Sequence, residues 1–279
     1  MQILQARTSS ALEFFEAEFL RKYGLRAYDS QTDPALFFGC YGKQDIEVIR
    51  KHRSFKVVLW GGSDAMNPKN IRAVRGASGC FHVAISRFVE SDLARLRVPC
   101  VRLPISPRLL GKDFAPCPKG PSIYVYTSAE RPGFYGAEMV ERLRQKYSST
   151  PFIVCTASSH NTARLIQVYR ECFLGLRLVP HDGLSNTVIE LGLMGRKTVH
   201  NGDLPGSLPY SSFDDICGHI EKERQQVGRS DAALAHATRR YLELPSDWLT
   251  TEFYSRTAAA RSSMGAFGAW ARRLRNILE

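Results

Sequence analysis

The amino-acid sequence predicts an α/β protein with parallel sheets, and three observations carry that prediction. Short apolar runs rich in β-branched and aromatic residues alternate with helical patterns almost from end to end, the signature of parallel α/β layering. The alternation breaks at PRLLGKDFAPCPKGP, residues 107–121, where four prolines and two glycines exclude a regular element. A chain of 279 residues also exceeds a comfortable single core, so two domains of roughly 120–150 residues are expected.

ALFFGCYG (35–42) is an apolar run of strand length, DIEVIRKHR (45–53) spaces its apolar residues for a helix, and FKVVLWGG (55–62) returns to strand. The pattern continues with a short helix at NIRAVRG (70–76), a strand at CFHVAIS (80–86), a helix at RFVESDLARLR (87–97) and a strand at CVRLPI (100–105). Beyond the proline-rich stretch, SIYVYTS (122–128) is a strand, GAEMVERLRQKY (136–147) a helix, PFIVCTA (151–157) a strand and TARLIQVYREC (162–172) a helix. LRLVP (176–180) then reads as a strand, HDGLS (181–185) as a turn, NTVIELGLMG (186–195) as a helix and KTVHNG (197–202) as a strand. SSFDDICGHIEKERQQ (211–226) has serine at its entry and acids in its first turn, as a helix N-terminus prefers. The tail from residue 262 places Phe267, Trp270, Leu274 and Ile277 on one helical face flanked by Arg272, Arg273 and Arg275. That pattern favours a helix packed on a domain over one lying on a membrane.

Hydrophobic residues at 44% and aromatics at 10% describe a chain able to bury a sizeable core. The net charge of +11 is spread along the whole chain; it suits an acidic partner and equally serves as solubilising surface. Seven cysteines, an odd number with no CxxC pair, read as reduced thiols of a cytoplasmic protein rather than a disulfide framework or a zinc cluster. The first residues carry acids and no continuous apolar segment, unlike a signal peptide, and no run approaches the ~20 apolar residues a spanning helix needs.

The chemistry concentrates in RLVPHDGLSNTVIELGLMGRKTVHNG, residues 177–202. A turn between strand and helix aims backbone N–H groups at whatever occupies the strand's carboxyl end, where open α/β sheets bind ligands and a helix N-terminus favours phosphate. Gly183 permits close approach of the backbone, Glu190 can accept hydrogen bonds from vicinal ribose hydroxyls, and Gly195 stands where a C-cap belongs. Taken singly, an aspartate at a helix start or a glutamate in its first turn is a cap or a dipole complement. The glycines, the spacing and the domain layout together point to a nucleotide site.

Asp182 and Glu190, seven residues intervening, resemble the E-x7-E region of retaining glycosyltransferases of the GT-B fold, the family 4 type. The resemblance implies two Rossmann-like domains facing a cleft. An N-terminal acceptor domain would span 1–107, a linker acting as hinge 108–121, a nucleotide-sugar domain 122–255, and a C-terminal helix at 256–279 would cross back to the first domain. It implies that Asp182 lies near the donor sugar, that Gly183, Leu184, Ser185 and Asn186 form the amide turn for the diphosphate, and that Glu190 contacts the ribose. Asp182 is shorter than the glutamate usual there. The arginine and lysine that neutralise the diphosphate in that family follow the first strand of the second domain. Here TSAERPGFYG (127–136) offers Ser128 and Arg131 but has Tyr135 at the lysine position, leaving Arg177, Arg196 and Lys197 as substitutes.

In the first half, KVVLWGGSDAM (56–66) ends a strand with Gly61, Gly62, Ser63 and Asp64. These read as cleft residues on the acceptor or sugar side, and an ordinary turn explains them as well. No GxGxxG follows, which argues against a dehydrogenase. His181 abuts the sugar site and completes a catalytic set with Asp182 and Asp64, whereas His52 and His82 read as structural or surface residues. No DxD motif is present, and the reading requires neither a metal nor a permanently bound cofactor.

The expected activity is therefore hexosyl or pentosyl transfer from a nucleotide-diphosphate sugar, most simply a UDP-sugar, to a hydroxyl group. Small GT-B enzymes decorate hydroxymethylated pyrimidines in phage DNA, and the basic charge makes such DNA in a host cytoplasm the favoured acceptor. The alternatives are a lipid-linked or surface glycan, with the tail helix on anionic lipid, and a non-catalytic nucleotide-sugar or nucleic-acid binding protein.

Overall fold

The computed structural model describes residues 1–156 and 162–259. They group into two compact units, Met1–Ile85 with Val89–Leu103 and the described residues from Leu244 on, and Ser86–Phe88 with Pro104–Glu243. Each unit is built on its own fully parallel sheet.

In chain order the first unit runs β1 (Gln5–Thr8), α1 (Glu16–Tyr23), β2 (Arg26–Ala27), β3 (Ala35–Phe38), α2 (Lys43–Lys51), β4 (Lys56–Trp60), α3 (Pro68–Val74), β5 (Cys80–Ala84), α4 (Arg87–Arg95) and β6 (Val101–Arg102). The strand order is β2-β1-β3-β4-β5-β6. Strands β3 and β4 are buried at every residue, because helices cover both faces of a parallel sheet; that is why they read as continuous apolar runs. Strand β1 escaped the sequence reading because its first residue is a buried glutamine. The Gln5 amide donates to the carbonyls of Ser30 at 2.9 Å and Asp33 at 3.1 Å and accepts from the amides of Asp29 and Ser30, so a polar residue stands where the pattern calls for an apolar one.

The second unit runs β7 (Ser122–Tyr126), α5 (Ala137–Lys146), β8 (Phe152–Cys155), α6 (Thr162–Arg170), β9 (Cys172–Leu176), α7 (Asn186–Leu193), β10 (Lys197–Val199), β11 (Ser207–Leu208), α8 (Phe213–Arg224) and α9 (Ala232–Tyr241), with sheet order β11-β10-β9-β7-β8. Ile123, Val125, Leu143, Phe173, Leu174, Leu176, Val199, Ile216 and Ile220 are among the residues of its core. The strand expected at 176–180 lies earlier, on Cys172–Leu176. The apolar run is longer than one strand, and period alone does not locate a buried strand within it.

Helix α7 is buried from Thr187 through Leu193. It closes as a Schellman motif: Gly195 adopts φ +81°, its amide bonds the Gly192 carbonyl at 3.0 Å and the Arg196 amide bonds that of Leu191 at 2.8 Å. A Cβ at Gly195 would stand 2.8 Å from the Asp231 carbonyl oxygen, so both space and conformation call for glycine.

The proline-rich stretch is fastened to the second unit. Arg196 donates to the carbonyls of Cys117 and Pro118, Lys119 pairs with Glu223 at 2.9 Å, and Arg239 donates to the Phe114 carbonyl at 2.8 Å. Residues from Leu244 on, which the sequence placed in the second domain as far as 255, group with the first unit. The Ile3 amide bonds the Leu249 carbonyl, the Thr251 amide bonds that of Met1, and Trp248 meets Tyr23 edge-on at 5.0 Å. Residues 251–259 are helical; the tail from 260 on, with the crossing helix expected there, lies outside the described residues. No helix among the described residues is long and apolar enough to cross a membrane.

Candidate functional site

In the second sheet the strand order reverses between β7 and β9. Loops leaving the carboxyl ends of two such strands diverge and open a crevice, the usual ligand position in open α/β sheets. The loops are residues 127–136 and 177–185. They touch at one point, where the first ends and the second begins: Gly136, at φ +67°, lies so close to Leu178 that a Cβ there would come within 2.9 Å of the leucine Cβ.

Arg177, just past β9, lays its guanidinium over the rings of Tyr126 at 4.4 Å and Tyr135 at 5.2 Å. It grips Asp182 in a two-pronged ion pair, Nε to Oδ2 at 2.8 Å and Nη2 to Oδ1 at 3.0 Å. The Gly183 amide donates to the same carboxylate at 3.0 Å. Nε2 of the buried His200 lies 3.5 Å from Asp182 Oδ2, while its Nδ1 accepts from the Gly202 amide at 3.1 Å, which puts the proton of a neutral ring on the nitrogen facing Asp182. Burial on its own would raise the Asp182 pKa, but Arg177 and His200 overcome it and hold the carboxyl well below the ordinary carboxylate range.

The turn ends at Ser185, the residue preceding α7. Ser185 is 3% exposed, and neither its Oγ nor the Asn186 Oδ1 has a hydrogen-bond partner among the described residues. The first amides of any α-helix lack intrahelical acceptors. The N-terminus of α7 has no side-chain cap, so its first amides, the unpartnered Ser185 hydroxyl and the positive end of the helix dipole come together in the loop that also carries the partly buried Arg177.

Glu190 is 2% exposed. Its Oε1 accepts from Arg108 Nη1 at 2.8 Å and its Oε2 from the Tyr169 hydroxyl at 2.8 Å, and Arg108 also donates to Thr162 Oγ1 at 2.7 Å. Burial and the neighbouring Glu190 carboxylate push the Tyr169 pKa far up, keeping the hydroxyl a donor.

Of the remaining residues singled out in this unit, Leu184 is buried. Arg131 is exposed, with its guanidinium over Phe134 at 4.5 Å, and Ser128 is partly buried in the same loop. His181 contacts Phe88 at 5.5 Å between ring centres. Arg196 is fully buried and spends its guanidinium on backbone carbonyls, those of Tyr169, Cys172, Cys117 and Pro118 among them. Lys197 shares Glu223 with Lys119. Among the three substitutes considered for the diphosphate, Arg177 alone belongs to the turn. Residues 157–161 lie outside the described residues.

Gly61–Asp64 belong to the first unit. Asp64 is 1% exposed; its Oδ2 accepts from the amides of Cys40 and Gly61, both at 3.1 Å, and its Oδ1 from those of Gly62 at 2.8 Å and Ala65 at 3.0 Å. Burial raises its pKa, against the pull of those four amides. The carboxylate is thus spent on tying the turn after β3 to the turn after β4, and Ser63 beside it is exposed. His52 and His82 are both buried; burial brings the His82 pKa down to about 4, and its Nδ1 accepts from Trp60 Nε1 at 3.2 Å. Among the described residues no group of three or more His, Cys, Asp or Glu is placed to hold a metal ion.

Sequence reasoning did not single out Tyr126, Tyr169, Arg108 or His200. Tyr126 carried a usable signal, as the last residue of a strand at the order reversal. Arg108, inside the proline-rich stretch, carried none.

No known protein family matches the chain, and no curated protein does. Among solved structures, TarM matches with a TM-score of 0.52 at 13% identity, over 87% of this chain and 56% of TarM. An S. aureus TarM mutant in complex with fondaparinux, alpha-GlcNAc-glycerol and UDP gives 0.51 at 12%, over 81% of this chain and 55% of that one. Sucrose-phosphate synthase from Thermosynechococcus elongatus gives 0.47 at 13%, over 93% and 78%. The chain thus spans little more than half of TarM. At these identities the likeness is one of fold, two Rossmann-like α/β domains of the GT-B kind.

Proposed function

We propose that the chain is a glycosyltransferase that binds a nucleotide-diphosphate sugar at the order reversal of its second sheet. The observation that carries this reading is the unpartnered N-terminus of α7, with the buried Ser185 hydroxyl and the Arg177–Asp182 pair beside it. In this reading the first amides of α7 and the Arg177 guanidinium take the diphosphate, and Glu190, held in place by Arg108 and Tyr169, accepts further hydrogen bonds from the ribose. Asp182, with both oxygens engaged, aims Arg177 rather than attacking the sugar. Transfer breaks the bond between the anomeric carbon and a diphosphate oxygen, which keeps the electron pair. A bond forms to the acceptor oxygen, whose proton passes to the departing diphosphate oxygen. Charge accumulates on the diphosphate in the transition state, where fixed N–H dipoles and a guanidinium stabilise it without reorganising. Retention of anomeric configuration and use of UDP extend the resemblance in the Asp182–Glu190 motif, and a TarM structure holding UDP supports that choice of nucleotide.

The acceptor reading rests on charge. A surplus of 11 positive charges favours a polyanion, and 5-hydroxymethylated pyrimidine DNA offers both the phosphates and a hydroxyl. The test is intact-mass analysis of hydroxymethylated and plain duplexes after incubation with a panel of nucleotide sugars. A hexose or pentose increment on the modified duplex alone supports the acceptor. No increment on either, with the donor hydrolysed, removes DNA and keeps the transferase; a donor neither bound nor hydrolysed removes both.

A further inference from the structure

The first unit carries a cationic pocket at the opposite end of β4 from the Gly61–Asp64 turn. Lys56, the first residue of β4, is 3% exposed, and its ammonium bonds the His52 carbonyl at 2.6 Å. No carboxylate pairs with it among the described residues. Taking an ammonium out of water is costly without a counter-charge, and burial accordingly lowers the Lys56 pKa. A cavity of about 480 Å³ opens beside it, lined by Arg50, His52, Arg53, Lys56, Arg72 and the Gly76–Ser78 turn, with no acid in the lining. Arg50, Arg53 and Arg72 are exposed and make no ion pair among the described residues. Of the acids on the surrounding elements, Glu47 faces Lys51 at 4.0 Å and Asp33 faces Arg26 at 2.9 Å.

Complementing helix dipoles explains part of this cluster, since Arg50 and Arg72 sit in the last turns of α2 and α3. It does not explain Arg53, which lies beyond α2, or a lysine buried at the start of a strand. Three arginines lining one cavity with a buried lysine supply the planar donors and positive charge that a phosphate group takes. We propose that this pocket binds a phosphate-bearing anion, inorganic phosphate or a phosphomonoester, with Arg53 and Arg72 as its principal ligands and Lys56 as the buried counter-charge. The site is separate from the proposed donor site and does not depend on it.

The test is a titration of the isotope-labelled full chain with glycerol 3-phosphate in the presence of excess UDP, followed by amide chemical shifts. The expected result is saturable shifts at Arg53, Gly76, Ala77 and Ser78, and at least a tenfold rise in Kd for the Arg53→Ala/Arg72→Ala double variant. Lys56→Met provides a second measure: phosphate raises the melting temperature of the native chain and does not raise that of the variant. Vesicles separate the sources. Co-sedimentation with phosphatidic acid but not phosphatidylcholine vesicles, lost in the double variant, marks the phosphate as lipid-borne, and retained glycerol 3-phosphate binding without co-sedimentation marks it as a soluble ester. Absent binding of both, or an affinity unchanged in the double variant, overturns the proposal.

Discussion

Asp182 ties the stability of the turn to the proposed donor site. Its folded-state pKa is depressed from the ordinary 3.8, so the folded chain binds fewer protons than the unfolded chain just below that pH. The stability it contributes is fully present above its ordinary pKa and is lost as pH falls through its folded value. Asp182→Asn should cost about 3 kcal/mol at pH 7, the low end for removing one partner of a buried pair, because Arg177 and Asp182 are only partly buried, and should flatten the fall in stability below pH 4; urea unfolding at pH 7 and pH 3 checks both. Glu190 belongs to the same scale. Glu190→Gln should weaken UDP binding by about 1.5–3 kcal/mol, roughly ten- to a hundredfold, the worth of hydrogen bonds to a charged acceptor; unchanged affinity in calorimetry would take Glu190 out of the site. The Asp182–Glu190 motif was legible in the sequence because it is local, a turn and one helical turn. Arg177 with Tyr126 and Tyr135, and Arg108 with Tyr169, were not, because each group forms only when separate elements converge.

At the scale of elements, continuous apolar runs such as Ala35–Phe38 and Val57–Trp60 revealed the parallel sheets, and Gly195 marked the end of α7 by the conformation it permits. Strand β1 stayed hidden behind the buried Gln5 amide, and β9 was displaced within an overlong apolar run. The turn after β4 shows a different failure: Gly61, Gly62 and Asp64 look alike whether the carboxylate faces a ligand or its own backbone. The structure has it bonded to four amides. Asp64→Asn replaces one carboxylate oxygen with an N–H donor facing amide donors, and should destabilise the chain by about 1–3 kcal/mol. Urea unfolding measures that loss, and UDP affinity should stay at the native value, since this turn lies in the first unit.

For the whole molecule, charge is the property that reaches beyond either unit. If the acceptor is DNA, several phosphate contacts must form, and the affinity for duplex should fall with salt at a log–log slope of about −0.9 per contact. A slope near zero between low and physiological salt would leave the positive surplus as solubilising surface. The central claim remains the donor site, and amide chemical shifts of the labelled chain titrated with UDP test it most directly. The account predicts saturable shifts gathered at residues 182–188 and in the 127–136 loop. No binding, or saturable shifts confined to residues outside those two loops, would contradict it.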